Sequence, residues 1–176
     1  SINNVIKNLS LYSHLAVGVP GTVDGMVNIH KKYGQLPWKE LVQPAIDLAT
    51  NGFELTRLEA NKLNRFNKTK GKINKNSEYY KEHFSEGDSI LLPQLSKTLI
   101  LIRDHKRAGF YSGGTAEMLV KEMSLNGGKI TQQDLDSYQS IWRDPTICFY
   151  KGHKIISMSP PSSGGILLTQ MLKMAE

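Results

Sequence analysis

Cys148 is the only cysteine in this 176-residue chain. One thiol cannot close an internal disulfide framework or furnish a cysteine-rich zinc site, so packing has to hold the fold together. Because Cys148 stands in TICFY, it reads as a buried strand residue rather than a catalytic thiol. Long apolar runs are also missing: no stretch approaches the roughly 20 residues that cross a bilayer as a helix. The opening SINNVIKNLSLYSH lacks the charged start, apolar centre and small-residue cleavage site of a signal peptide. For an exported parent, a signal is therefore expected upstream of Ser1.

What the chain does have is 39% hydrophobic and 22% charged residues, the balance of a globular domain. The net charge of +6 invites a nucleic-acid reading, but its distribution argues against one. Lys62, Arg65, Lys68, Lys70, Lys72, Lys75 and Lys81 stand against the single acid Glu78, so one stretch carries an excess equal to that of the whole chain. It is polar and poor in apolar residues, as a solvated loop or helix end would be, and its aromatics are confined to Tyr79 and Tyr80. No nucleic-acid partner is expected.

Periodicity then sets out the elements. TVDGMVNIHKKYG places Val23, Met26, Val27, His30 and Tyr33 on one helical face, with Gly34 suited to a left-handed stop. His30 reads as a partly buried face residue, since no second ligand stands at metal-binding spacing. PWKELVQPAIDLATNGF carries Pro37 and Pro44 at what read as two successive helix starts and closes on Asn51-Gly52. Thr56 and Glu59 have the spacing of a capping box opening TRLEANKLNRF. Leu92, Leu95, Leu99 and Ile102 mark a further helix with Gly109 beyond it, and GGTAEMLVKEMSLNGG another, from about Gly114 to Asn126-Gly127. Thr131 and Asp134 form a cap pair for a short turn of helix.

From Ile141 the composition shifts to β-branched and aromatic residues, and Lys151-Gly152 between two such runs suits a tight hairpin turn. Two or three antiparallel strands are expected, confined mainly to about 140–157. LLTQMLKMAE stops inside a helical pattern, and both ends read as lying within a longer protein.

No catalytic constellation emerges from the residues. SMSPPSSGG offers Ser162 and Ser163, but a nucleophile elbow needs Gly-x-Ser-x-Gly and no glycine stands two residues before either serine. Pro160, Pro161, Ser162, Ser163, Gly164 and Gly165 read instead as a structural turn from strand to helix, in which hydroxyls accept from free amides and glycines allow close backbone approach. GVPGTVDG and SGGT lack the lysine and hydroxyl of a phosphate loop, and GVPGTVDG does not match the dinucleotide fingerprint. Asp134 and Asp136 point apart on a helix, and Asp104 and Glu117 stand in separate elements. No cofactor or metal is expected. On these residues alone, a stand-alone, basic, mainly helical binding module stays open as an alternative.

In order as well as content, GVPGTVDGM, KYGQLPWKELVQPAIDLATNGF, FYSGGTAEMLVKEMSLNGGKITQQDLDSYQS and YKGHKIISMSPPSSGG resemble successive stretches of the large chain of the γ-glutamyltransferases, also called γ-glutamyltranspeptidases or glutathione hydrolases. The resemblance runs from about Leu15 to the end and is weakest between Lys62 and Lys81. It implies an α+β, mainly helical piece of the αββα sandwich of N-terminal nucleophile hydrolases, with a β-hairpin near the C-terminus. As a domain, 1–176 would be one partial domain: a helical layer over 15–138, then hairpin and helix over 140–176.

The resemblance also implies a precursor that cuts itself into a large and a small chain. A new terminal threonine attacks the γ-glutamyl amide of glutathione and related compounds, and the glutamyl group passes to water or to an amino-acid or peptide acceptor. In the family, that threonine lies beyond the PPSSGG segment and the arginine holding the substrate carboxylate lies before GVPGTVDG. Neither maps onto a numbered position, so no catalytic or substrate-binding residue is carried over. The small chain is the implied partner, and a periplasmic or extracellular parent the implied location. Ile166, Leu167, Met171 and Leu172 add an expectation of self-association through 145–176.

Overall fold

The structure, a computed structural model, describes residues 13–70 and 83–176. It divides into two compact units, Ser1–Gln139 and Ser140–Glu176.

The first unit is helical. After a 3-10 turn at His14–Ala16 come α1 (Thr22–Tyr33), α2 (Trp38–Asn51), α3 (Arg57–Lys70), α4 (Pro93–His105), the short α5 (Ala108–Tyr111), α6 (Gly113–Leu125) and α7 (Gln132–Ser137). Both capping pairs form as the spacing predicts. The Thr56 N–H donates to Glu59 Oε2 at 2.9 Å while the Glu59 N–H donates back to Thr56 Oγ1 at 3.3 Å. Thr131 and Asp134 repeat the exchange at the start of α7. Each pair satisfies amides that the first helical turn leaves free.

Pro37 and Pro44 do not start two helices: α2 is continuous through Pro44. An interior proline costs a hydrogen bond and crowds the preceding turn, about 3 kcal/mol. Here Trp38, Val42, Ile46 and Ala49 form a buried stripe that runs past the proline on both sides and holds the helix whole. This stripe packs with Ile102 of α4, and the Trp38 indole N–H donates to Ile102 O at 3.0 Å. Gly109 is no helix stop. It sits inside α5 with its Cα against the Leu101 backbone, where a Cβ would overlap the carbonyl, and this lets α5 cross α4 closely. Gly34 also differs from expectation, at φ −66° rather than left-handed; its missing side chain makes room for the His30 ring, whose Nε2 hydrogen-bonds Leu36 O at 2.8 Å.

A second cluster joins Tyr111, Ala116, Met123, Ile130 and Leu135 across α5, α6 and α7. A third, of Leu55, Ala60 and Phe84, lies beside a small antiparallel ribbon in which β1 (Phe53–Glu54) pairs with β2 (Ser89–Ile90). That ribbon lies outside 140–157, where strands were expected. The basic stretch is the end of α3 as far as Lys70, the helix-end form of the expectation, and Lys72, Lys75 and Lys81 lie outside the described residues.

The second unit is a hairpin and a helix. β3 (Thr146–Tyr150) pairs antiparallel with β4 (His153–Ser157), and Ile147 stands opposite Ile156. Lys151 and Gly152 both take positive φ, 46° and 79°, as a two-residue hairpin turn of matching twist requires. No third strand forms over 140–145. Thr146, Cys148, Tyr150, Ile155 and Ser157 are half-buried along one face, so Cys148 is a half-buried strand residue, less deeply placed than expected. The helix α8 (Gly164–Met174) packs on the hairpin through Gly165, where a Cβ would overlap the Met158 carbonyl and crowd Thr146.

Leu135 is completely buried, whereas Leu58 is 63% exposed. Leu135→Ala should therefore destabilise the chain by about 2–5 kcal/mol and Leu58→Ala by less than about 0.5, read as denaturant midpoints at constant slope. A pH effect is expected at the α2–α4 contact. Arg103 forks onto Asp104 at 3.0 and 2.9 Å while donating to Gln43 Oε1 at 2.7 Å. The guanidinium, helped by Lys39, holds the Asp104 carboxyl down to about 2 from its ordinary 3.8. Because the folded value is the lower one, this contribution is fully present above about pH 4 and is lost as pH falls toward 2. Carboxyl chemical shifts followed in acid should show the low titration, and Arg103→Gln should return it to the ordinary range.

Candidate functional site

The turn that leads into α8 is built from backbone. Ser162 N–H donates to Ser159 O at 3.2 Å, closing a four-residue turn in which the Pro160–Pro161 peptide is cis. Ser162 Oγ accepts from Gly164 N–H at 3.2 Å, and Ser163 O accepts the first helical bond, from Leu167 N–H, at 2.9 Å. Ser163 occupies the position before the helix, but its hydroxyl makes no capping bond. Among the described residues neither serine meets an imidazole or a carboxylate, so nothing there could take a proton from either hydroxyl.

Around Arg107 the structure assembles a polar cluster that the sequence reading did not find. Asp24, 4% exposed, faces the guanidinium, and Arg107 Nε donates to Asp24 Oδ1 at 3.0 Å. Arg107 Nη2 donates to the carbonyls of Leu135, Asp136 and Tyr138 at 3.2, 3.1 and 2.6 Å, which gathers the end of α7. Beneath it, the Tyr111 ring lies 4.7 Å from the guanidinium carbon and stacks on Tyr138. The Tyr111 hydroxyl donates to Pro20 O at 2.5 Å and accepts from Asp24 N–H at 3.4 Å, so it clamps the segment before α1. Burial pushes the Tyr111 phenol above its ordinary value. Gly21 admits the Tyr138 hydroxyl where a Cβ would overlap it. GVPGTVDG is thus a helix entry fastened from below, and of its glycines Gly21 serves packing, while Gly18 and Gly25 border open space. The one signal available in sequence was a charged residue, Asp24, on the inner side of an amphipathic helix.

Chemically, the cluster is committed to structure: Nε and Nη2 of Arg107 already meet protein acceptors, and Asp24 Oδ2 accepts from Asn28. An open hollow of about 550 Å³ between α6 and α7 is lined by Ser112, Glu117, Lys121, Gln132 and Asp136. Its Gln132 amide is committed to Tyr111 O and Asp136 Oδ1, and no nucleophile-base pair lines it. Asp134 and Asp136 point to different partners, Thr131 and Gln132, as their spacing implies. Among the described residues, no three His, Cys, Asp or Glu side chains are gathered as a metal site would need, and no helix is long and apolar enough to cross a membrane.

A chain so ordered, with a buried clamp and a strand-turn-helix, has close relatives. The family model described as gamma-glutamyltranspeptidase matches residues 3–176. The glutathione hydrolase proenzyme of Pseudomonas aeruginosa is 42% identical over 98% of this chain, which corresponds to 31% of its own length. The crystal structure of Helicobacter pylori gamma-glutamyltranspeptidase superposes with a TM-score of 0.89 at 43% identity, covering 97% of this chain and 50% of that one. The Bacillus anthracis transpeptidase enzyme CapD superposes with a TM-score of 0.78 at 34% identity, over 90% of this chain. The chain belongs to the gamma-glutamyltranspeptidase family, and its fold is that family's mainly helical α+β arrangement. It spans about a third of the length of the curated relatives it matches.

Removing the guanidinium should expose the cost of the clamp. Arg107→Met leaves Asp24 buried without its partner, and a loss of about 3 kcal/mol is expected, the lower end for breaking a buried pair, since Arg107 is itself 32% exposed. Combining it with Asp24→Leu should recover part of the loss; thermal unfolding of both variants measures this.

Proposed function

We propose that this chain is scaffold within a γ-glutamyltransferase, a protein that transfers or hydrolyses the γ-glutamyl group of glutathione and related γ-glutamyl compounds. The observation that carries the reading is the superposition on the Helicobacter pylori gamma-glutamyltranspeptidase along 97% of the chain, at 43% identity. In the proposed reaction a terminal threonine hydroxyl attacks the γ-carbonyl carbon. The amide C–N bond breaks, the amine leaves with a proton, and a glutamyl ester remains on the threonine. Water or the amine of an acceptor then displaces the ester and frees the hydroxyl. The threonine and the carboxylate-binding arginine belong to polypeptide outside residues 1–176, and the proposed part of this chain is to support them.

A precursor that splits into two chains fits the lengths. This chain fills half of the solved Helicobacter pylori chain but under a third of the curated proenzymes, so the solved chain is markedly the shorter. The proposed partner is accordingly the small chain of the same precursor, the proposed domain one in which residues 15–138 and 140–176 are parts of a single larger body, and the proposed location periplasmic or extracellular. The stand-alone basic module loses its main support, because the gamma-glutamyltranspeptidase family model matches residues 3–176.

The reading is tested on the full reading frame. Full-length protein should split into two chains and release a chromogenic amine from a γ-glutamyl anilide; the 176-residue chain alone should release none. In the full-length protein Ser162→Ala and Ser163→Ala should each keep turnover within about tenfold, whereas losing a nucleophile costs several orders of magnitude. Abolished turnover in a folded, processed serine variant would overturn the scaffold role of the turn.

A further inference from the structure

Asn-Gly occurs twice in the chain, at Asn51-Gly52 and at Asn126-Gly127. An asparagine followed by glycine can modify itself, because no Cβ on the second residue obstructs the approach of its nitrogen. That nitrogen attacks the asparagine side-chain carbonyl carbon, a C–N bond closes a five-membered succinimide, and the glycine N–H proton departs with the side-chain NH2 as ammonia. Water then opens the ring to aspartate or to its isomer linked through the side-chain carboxyl. Nothing is oxidised or reduced, and water is the one co-reactant.

The fold treats the two bonds differently, and the difference lies at the attacking nitrogen. Gly52 N–H donates to Leu48 O at 3.0 Å, and a Cβ on Gly52 would stand 2.8 Å from Ser89 Oγ and 3.1 Å from Ile90 O. This nitrogen can attack only after the end of α2 and the β1–β2 ribbon part. Among the described residues, Gly127 N–H meets no acceptor. Asn126 and Gly127 are both exposed, and a Cβ on Gly127 would meet nothing within 4 Å. The peptide between them therefore has space to turn from the Asn126 ψ of 17° toward attack, at the loss of one bond, Gly128 N–H to Met123 O at 2.7 Å.

We propose that Asn126 is a site of spontaneous deamidation in the folded protein, and that its conversion loosens the last turn of α6. The side-chain amide that is lost closes that turn: Asn126 Nδ2 donates to Glu122 O at 3.0 Å and to Glu122 Oε1 at 2.8 Å. Conversion replaces this donor by a carboxylate. Two like charges then stand one helical turn apart, and the new one sits at the C-terminal end of α6, where the helix dipole disfavours an anion. The inference concerns a surface turn and stands independently of the proposed activity.

The test follows both asparagines by peptide mass spectrometry in full-length protein kept folded in mildly alkaline buffer at physiological temperature. The same protein in denaturant sets the intrinsic rates, which should be similar at the two bonds. In the folded protein Asn126 should convert at least about tenfold faster than Asn51, whose attack waits for a local opening. Asn126→Gln should stay unconverted over the same time, because its longer side chain closes a six-membered ring slowly. In Asn126→Asp, with helix content checked by circular dichroism, amide exchange in the last turn of α6 should quicken at least about twofold. An intact Asn126 in the folded protein, or equal conversion at both asparagines, would overturn the assignment of the site. Unchanged exchange in Asn126→Asp would overturn the loosening of α6.

Discussion

A single carboxylate, that of Asp24, constrains the helical unit. An ionised acid taken out of water costs several kcal/mol unless charge and hydrogen bonds replace its hydration. Here the replacement is supplied by Arg107, from a turn 83 residues further along the chain. The same guanidinium draws in three carbonyls at the end of α7 and rests on Tyr111, whose hydroxyl fixes the entry to α1. Three separate stretches are thereby fixed at one point, and the apolar cluster of Tyr111, Ala116, Met123, Ile130 and Leu135 surrounds it. Close packing needs that register: Gly21 against Tyr138 and Gly109 against Leu101 leave no space for one methyl group.

The same economy of space governs the second unit. Gly165 lets α8 settle on Thr146 and the Met158 carbonyl, and Ser159–Ser162 reverses the chain so that the helix returns over the strands it follows. The serines in that reversal are used as turn and helix-start groups. The Ser162 hydroxyl meets the Gly164 amide, and an amide N–H can orient a hydroxyl but cannot deprotonate it. Among the described residues, the polar groups around Arg107 likewise hold segments together.

Where a structural decision depended on neighbours a few residues apart, it was legible in the sequence. Thr56 with Glu59 and Thr131 with Asp134 form their boxes because donor and acceptor lie within one turn, and Lys151-Gly152 bends because two consecutive residues accept positive φ. The absence of a nucleophile elbow at Ser162 and Ser163 was visible for the same reason, since the motif is five residues long. Local rules misled at Pro44, where the proline should end a helix and the buried stripe from Trp38 to Ala49 kept it. They misled again at Gly34, whose role is set by the His30 ring beside it and not by its own dihedrals.

The sequence by itself determined the two capping boxes, the hairpin and the family, because caps, turn signals and motifs are all short-range patterns. Only the tertiary structure decided that Asp24 meets Arg107, that Phe53 pairs with Ile90, and that one face of the hairpin is covered while the other is open. Those pairings join residues tens of positions apart. Which of them form depends on how whole helices and strands pack, and a residue's type and its near neighbours do not fix that.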